Sequence, residues 1–195
     1  MIVRVGVDAA AVTPAEAAHY RAAGWWTDTT LSKRVTHNAG STPDKPAYID
    51  CIPDGQDRVL TWLDFDHAAT NLAHRLCALG VAPGTGVVFW HKDTAEIHAL
   101  LVAIERCGAV AIGIGARAGI REVTAILRTT RPSVVVADTD RLAPAQRAAD
   151  DADPRLRVVS LDINITAPPD GTGPLVCRNA LCTTRIDGPT STRRP

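Results

Sequence analysis

What the chain has little of narrows it first. Aromatic residues make up 4% of its 195 residues: four Trp, two Tyr and two Phe. That is too few for the stacking platforms on which single-stranded nucleic acids lie. Neither sign of charge is in excess, since 21 Lys+Arg balance 21 Asp+Glu. The balance gives no basic field for a phosphate backbone and no acidic field for a cationic partner. No run approaches the roughly 18–20 apolar residues of a membrane span. The opening "MIVRVGVDAAAVTPAEAAHYRAAG" lacks the apolar core of a secretion signal. The five cysteines (Cys51, Cys77, Cys107, Cys177 and Cys182) are odd in number and contain no CxxC pair. They read as reduced, mostly buried thiols. The expectation is a soluble, cytoplasmic protein, and no internal repeat is visible.

What is present is an ordinary globular composition, 46% hydrophobic and 22% charged. Thr13, Pro14 and Glu16 form a capping signature for a short helix that Gly24 ends. A second short helix is expected from about Thr30 to Ala39. "AYIDCI" reads as a strand, "PDGQD" as a hairpin turn and "RVLT" as the returning strand. Thr61 caps a long helix in which Phe65, Ala69, Leu72, Leu76 and Leu79 recur at helical spacing, and Gly80 stops it. "VVFWH" follows as a buried strand. Asp93 with Glu96 predicts a capping box for "TAEIHALLVAIERCG", whose Ile97, Leu100, Leu101 and Ile104 form one face. "AVAIGI" and "SVVVAD" are strands flanking the helix "GIREVTAILRTT". A short helix from Pro144 to Ala149 and the strand "RLRVVSL" complete the pattern. Strands apolar on both sides, alternating with helices, predict an α/β fold whose parallel sheet is covered on both faces. Beyond Leu161 turn residues dominate, and periodicity is lost.

The stretch "AIGIGARAGIREV" has Gly113, Gly115 and Gly119 between a strand and a helix. Backbone N–H groups there would meet a pyrophosphate at a helix terminus. Asp138, at the end of the next strand, stands where a ribose-binding carboxylate would, and Arg117 would answer a 2′-phosphate. A small Rossmann-like NAD(P)-binding protein is one reading. The glycine pattern is loose, and a plain strand-to-helix turn is the other.

The wider text bears on that choice. "STPDKPAYID", then "RVLTWLDFDHAATNLAHRLCALGVAPGTGVVF", then "TAEIHALLVAIERCGAVAIGIGARAGIREVTAILRTTRPSVVVAD" stand in an order that resembles the N-terminal part of the adenylate-forming acyl-CoA synthetases, the AMP-dependent synthetase and ligase family. "YRAAGWWTDTTL" resembles the leader of ligases for aryl and alicyclic acids. Trp25 and Trp26 are expected to pack that leader on the main domain. In this alignment "GIGARAG" falls on a packing turn. The resemblance implies a partial parallel-sheet layer structure: a helical leader over 1–28, an incomplete α/β subdomain over 29–161, and an irregular or out-of-frame tail over 162–195.

The resemblance also implies a two-step chemistry. A carboxylate attacks the ATP α-phosphate to give an acyl-adenylate, and coenzyme A takes the acyl group as a thioester, with ATP, Mg²⁺ and coenzyme A as cofactors of the full-length enzyme. The family's phosphate loop reads approximately "TSGTTGxPKG", and nothing in this chain matches it. No catalytic, cofactor or metal residue is therefore carried over. The chain is expected to be an inactive fragment whose parent acts on a small-molecule carboxylic acid. A non-enzymatic interaction module is the third reading, because an incomplete sheet exposes an edge for self-association.

Other constellations carry less. His67 and His74 lie seven apart on one helical face, too far for a two-ligand metal grip, and read as surface or boundary residues. His91, Lys92 and Asp93 cluster at the carboxyl end of a strand, where α/β sites gather. Asp93 is better explained as an N-cap.

Overall fold

The computed structural model describes residues 12–53 and 55–160, and the tail expected over 162–195 lies outside them. Helix α1 (Pro14–Ala22) opens with the Thr13–Glu16 capping box, and α2 is Leu31–Ser41. Strands β1 (Pro46–Asp50) and β2 (Arg58–Thr61) pair antiparallel as the expected hairpin. Then follow α3 (Trp62–Ala78), β3 (Gly86–Trp90), α4 (Ala95–Arg106), β4 (Val110–Ile114), α5 (Ile120–Thr130) and β5 (Val134–Ala137). A 3-10 turn (Thr139–Arg141) leads into α6 (Leu142–Ala152), and β6 is Arg157–Ser160.

The alternation builds a four-stranded parallel sheet of order β4-β3-β5-β6. Successive side chains on a strand point to opposite faces, so a strand buried on both sides must be apolar throughout. Both faces are covered. Val87, Val134 and Val136 join the core shared with α3 and α4. Val88, Trp90, Val135 and Ala137 join a second core with α5 and α6. The central strands are sealed, whereas β4 is an edge strand with Val110 46% exposed.

Helix ends follow local chemistry. Thr61 and Asp64 form a reciprocal capping box at the start of α3. Gly80 (φ +91°) and Gly108 (φ +64°) take the left-handed conformation after α3 and α4. At both sites the two amides beyond the cap turn back onto the last carbonyls: Gly80 to Cys77 and Val81 to Leu76, then Gly108 to Glu105 and Ala109 to Ile104.

Four expectations are corrected. Asp93 does not cap α4, because Thr94 is the N-cap residue and no side-chain cap bond is made there. Asp50 of β1 instead accepts from the Ala95 N–H at 3.3 Å, so the cap arrives from the hairpin. Helix α6 is longer than Pro144–Ala149, since Pro144 sits in its first turn, where a missing N–H costs nothing. Helix α4 is buried on more than one face, because α2 and α3 cover it as well as the sheet; Val102, Ala103 and Arg106 are buried beside Ile97, Leu100 and Ile104. Trp25 and Trp26 do not seal the leader onto the domain. They pack around Tyr20, with Trp25 70% exposed and edge-on to His19.

The buried Arg106 ties three helices together. Its guanidinium donates to Ser32 Oγ (3.0 Å) and Thr36 Oγ1 (3.1 Å) of α2. It also donates to Thr70 Oγ1 (2.7 Å), the Asp66 carbonyl (3.0 Å) and Asp66 Oδ1 (2.5 Å) of α3. Neighbouring Glu105 accepts from the Ser32 N–H at 3.1 Å, satisfying an open donor at the start of α2.

Candidate functional site

In an open parallel sheet the chain reverses direction where consecutive strands part, and ligand crevices form at the carboxyl ends there. The order β4-β3-β5-β6 puts that point between β3 and β5. The loops meeting at this edge start at His91 and Asp138, with the β4–α5 turn beside them.

Asp138 is 8% exposed and is the centre of the cluster. One carboxylate oxygen accepts from the Arg141 N–H at 3.0 Å. The other accepts from the Lys92 N–H at 3.1 Å and from the Arg141 guanidinium. Arg141 also donates to the Ala116 carbonyl at 3.1 Å and lies over the Trp90 ring, 5.9 Å from its centroid. The Lys92 ammonium pairs with Asp140. That hydrogen bond and charge raise the Lys92 pKa and lower that of Asp140. The protein's own groups thus join three loops at this edge around one buried carboxylate.

The sequence-predicted residues are parted by this arrangement. His91 places Nδ1 2.8 Å from the Lys92 carbonyl, Lys92 turns to Asp140, and Asp93 lies 3.6 Å from His98 Nε2. Asp138 spends its carboxylate on Arg141 and Lys92. Arg117 is exposed. Gly113 lies within β4 opposite Phe89, and a Cβ there would meet Phe89 Cζ at 2.9 Å. Its lack of a side chain makes room for that ring. Gly115 and Gly119 have open space where a Cβ would sit, and the loop they flank stands on the edge strand. His67 and His74 are half-buried on α3, at the boundary expected of them. No group of three His, Cys, Asp or Glu able to hold a metal occurs among the described residues.

A second polar cluster joins the hairpin to the start of α4. Tyr48 Oη and His98 Nδ1 are 2.6 Å apart, and His98 Nδ1 is 3.0 Å from the Thr94 carbonyl. Burial raises the Tyr48 pKa, with Asp93 and Asp50 adding to it. Arg58 bridges Asp50 and Glu96. The Glu96 hydrogen bond is the main cause of a raised Arg58 pKa. Burial pushes the Glu96 carboxyl up, but hydrogen bonding, led by Arg58, outweighs it and leaves the pKa lowered. Sequence reading missed Asp50, Arg58 and Arg141, since their partners lie on other elements or, for Arg141, in a turn with no periodic signal.

One cavity of about 480 Å³ opens at the other end of the sheet. Leu127, Arg128, Arg131, Pro132 and Leu156 are among its lining.

Comparison with known proteins gives the context of this geometry. A family model described as AMP-binding enzyme matches residues 35–175. A salicyl-AMP ligase / salicyl-S-ArCP synthetase of Mycobacterium tuberculosis is 31% identical over 96 residues, covering 49% of this chain and 17% of that protein. A hybrid PKS-NRPS synthetase of Trichoderma harzianum is 26% identical over 139 residues, covering 71% of this chain and 3% of its own length. Among solved structures, apo MbtA of Mycobacterium smegmatis superposes with a TM-score of 0.66 at 26% identity. That match covers 76% of this chain and 27% of MbtA. The chain therefore spans a small share of the length of the proteins it matches.

Proposed function

The chain belongs to the AMP-binding enzyme family, and from that premise we propose that it supplies the opening scaffold of an ATP-dependent carboxylic acid–CoA ligase and does not activate an acid alone. The observation that carries the reading is the β4-β3-β5-β6 sheet with its two helical layers, which superposes on apo MbtA over 76% of this chain. The name of the salicyl-AMP ligase supports a small carboxylic acid as the substrate class.

Inactivity of the chain alone is supported by what its residues are committed to. At the switch point the Asp138 carboxylate is engaged by Arg141 and by the Lys92 N–H. The sequence offers no counterpart of the phosphate-gripping loop. These residues do not fit ATP with Mg²⁺, and no step of the reaction is assigned to them. The NAD(P) reading through Gly113, Gly115 and Gly119 gains no observation, since Gly113 serves Phe89 and the loop stands at the sheet edge. No helix among the described residues is long and apolar enough to cross a membrane, and we place the chain in the cytoplasm. The exposed β4 edge is the surface through which we expect it to self-associate.

Two measurements test the proposal. Purified chain with ATP, Mg²⁺ and a panel of aryl and fatty acids is expected to release no pyrophosphate, and robust turnover would overturn the inactivity. Replacing the matching segment of a salicyl-AMP ligase with residues 35–160 is expected to leave a folded ligase with measurable adenylation. A folded chimera with no adenylation would overturn the scaffold role.

A further inference from the structure

Two thiols face each other on the opposite side of the sheet from α5 and α6. Cys77 lies in the last turn of α3 and Cys107 caps the end of α4. Their Sγ atoms are 3.6 Å apart. Cys107 is buried, with its sulfur 3.6 Å from the Ala73 carbonyl oxygen, whereas Cys77 is half-buried. Cys77 is thus the more accessible residue of the pair. A disulfide bond is about 2 Å long, so roughly 1.5 Å must be closed, a distance within reach of side-chain rotation at the half-exposed partner.

We propose that Cys77 and Cys107 are a reversible thiol–disulfide pair, oxidised by a small-molecule disulfide such as oxidised glutathione. The Cys77 thiolate attacks one sulfur of the oxidant, whose S–S bond breaks, and one glutathione thiolate leaves. Cys77 then carries the mixed disulfide. The Cys107 thiolate attacks Cys77 Sγ, forming the internal bond and expelling the second glutathione thiolate. The two protons of the cysteine thiols end on the two glutathiones. The pair loses two electrons, and the oxidant gains them.

The consequence is mechanical. The bond fastens the end of α4 to the end of α3, one residue from Arg106, which already holds α2 and α3. Oxidation closes a loop from Cys77 to Cys107 that contains β3, one of the two central strands of the parallel sheet. Cys51 is exposed and serves as an internal control, a thiol expected to stop at the mixed disulfide.

The test uses the full chain equilibrated in glutathione buffers of rising oxidised fraction, quenched by alkylation and mapped by peptide mass spectrometry. The expected result is one linked peptide pair containing Cys77 and Cys107, with the loss of two hydrogens and reversal by dithiothreitol. A variant with Cys51, Cys177 and Cys182 changed to Ser is expected to give the same link. Its thermal midpoint should rise by roughly 10 °C on oxidation. With Cys107→Ala, Cys77 is expected to accumulate as the glutathione adduct. If that variant does not fold, the map of the unmodified chain decides. Recovery of Cys77 and Cys107 as separately alkylated or separately glutathionylated peptides at the oxidising end would overturn the proposal. So would links that join either of them chiefly to Cys177 or Cys182.

Discussion

Replacing Arg106 with Ala should be among the most damaging single substitutions in the chain, for a reason that can be measured separately from its size. The Arg106 side chain is 4% exposed and that of its partner Asp66 is 14% exposed. Truncation would leave the Asp66 carboxylate and the hydroxyls of Ser32, Thr36 and Thr70, on α2 and α3, each short of a donor. Breaking one side of a buried ion pair costs about 3–5 kcal/mol, mostly through the charge left unpaired. Stability of an ordinary domain is about 5–15 kcal/mol, so this one change removes a large share of it. For a domain of this size the midpoint should fall by roughly 10 °C or more. The assay is urea unfolding of Arg106→Ala, Asp66→Ala and the double variant, followed by circular dichroism. Removing both partners should cost clearly less than the sum of the two single losses, because the second change removes the charge stranded by the first. A loss under about 1 kcal/mol for Arg106→Ala, or additivity within about 0.5 kcal/mol, would refute the reasoning.

Three further outcomes follow from the same geometry. Gly113→Ala should cost about 1–3 kcal/mol, because its new Cβ crowds Phe89, while Gly115→Ala stays within about 0.5 kcal/mol of the parent; equal effects in thermal unfolding would count against this account of the loop. The lowered Glu96 pKa means its ion pair with Arg58 stabilises the fold above the ordinary carboxylate range, near pH 4.5, and that contribution fades as pH falls through the folded-state value. Glu96→Gln should therefore flatten the acid side of the stability–pH profile, and an unchanged slope would argue that the pair contributes nothing. Val110→Lys places a charge on the exposed β4 edge and should lower the self-associated fraction in sedimentation velocity; an unchanged distribution would remove that edge from consideration.

The parts of the fold legible in the sequence are those fixed by local pattern. "VVFW" and "VVVA" are apolar at every position because both faces of β3 and β5 are covered, and Gly80 marks its helix end by a conformation that few other residues adopt. The misread helix cap depended on a segment distant in the chain. Asp93 and Glu96 have the spacing of a capping box, yet the competing carboxylate, Asp50, comes from 45 residues earlier and takes the Ala95 amide. No sequence pattern singled out Arg106, because its partners on α2 lie about 70 residues before it. The tryptophans suggested a seal to the domain, but Tyr20 lies close enough in sequence to collect both. The candidate site was partly legible. The sequence pointed to the carboxyl edge of the sheet, where the structure gathers Asp138, Lys92 and Arg141, but Arg141 sits in a 3-10 turn whose sequence announces nothing.

The clamp around Asp138 also bears on motion. Lys92 leads out of β3, Arg141 belongs to the turn after β5, and Ala116 lies in the turn after β4, yet all three are joined through one carboxylate–guanidinium pair. Moving any one of these loops outward breaks at least one hydrogen bond to that pair. Their fluctuations are therefore expected to be rare and concerted, a single opening event shared by three segments.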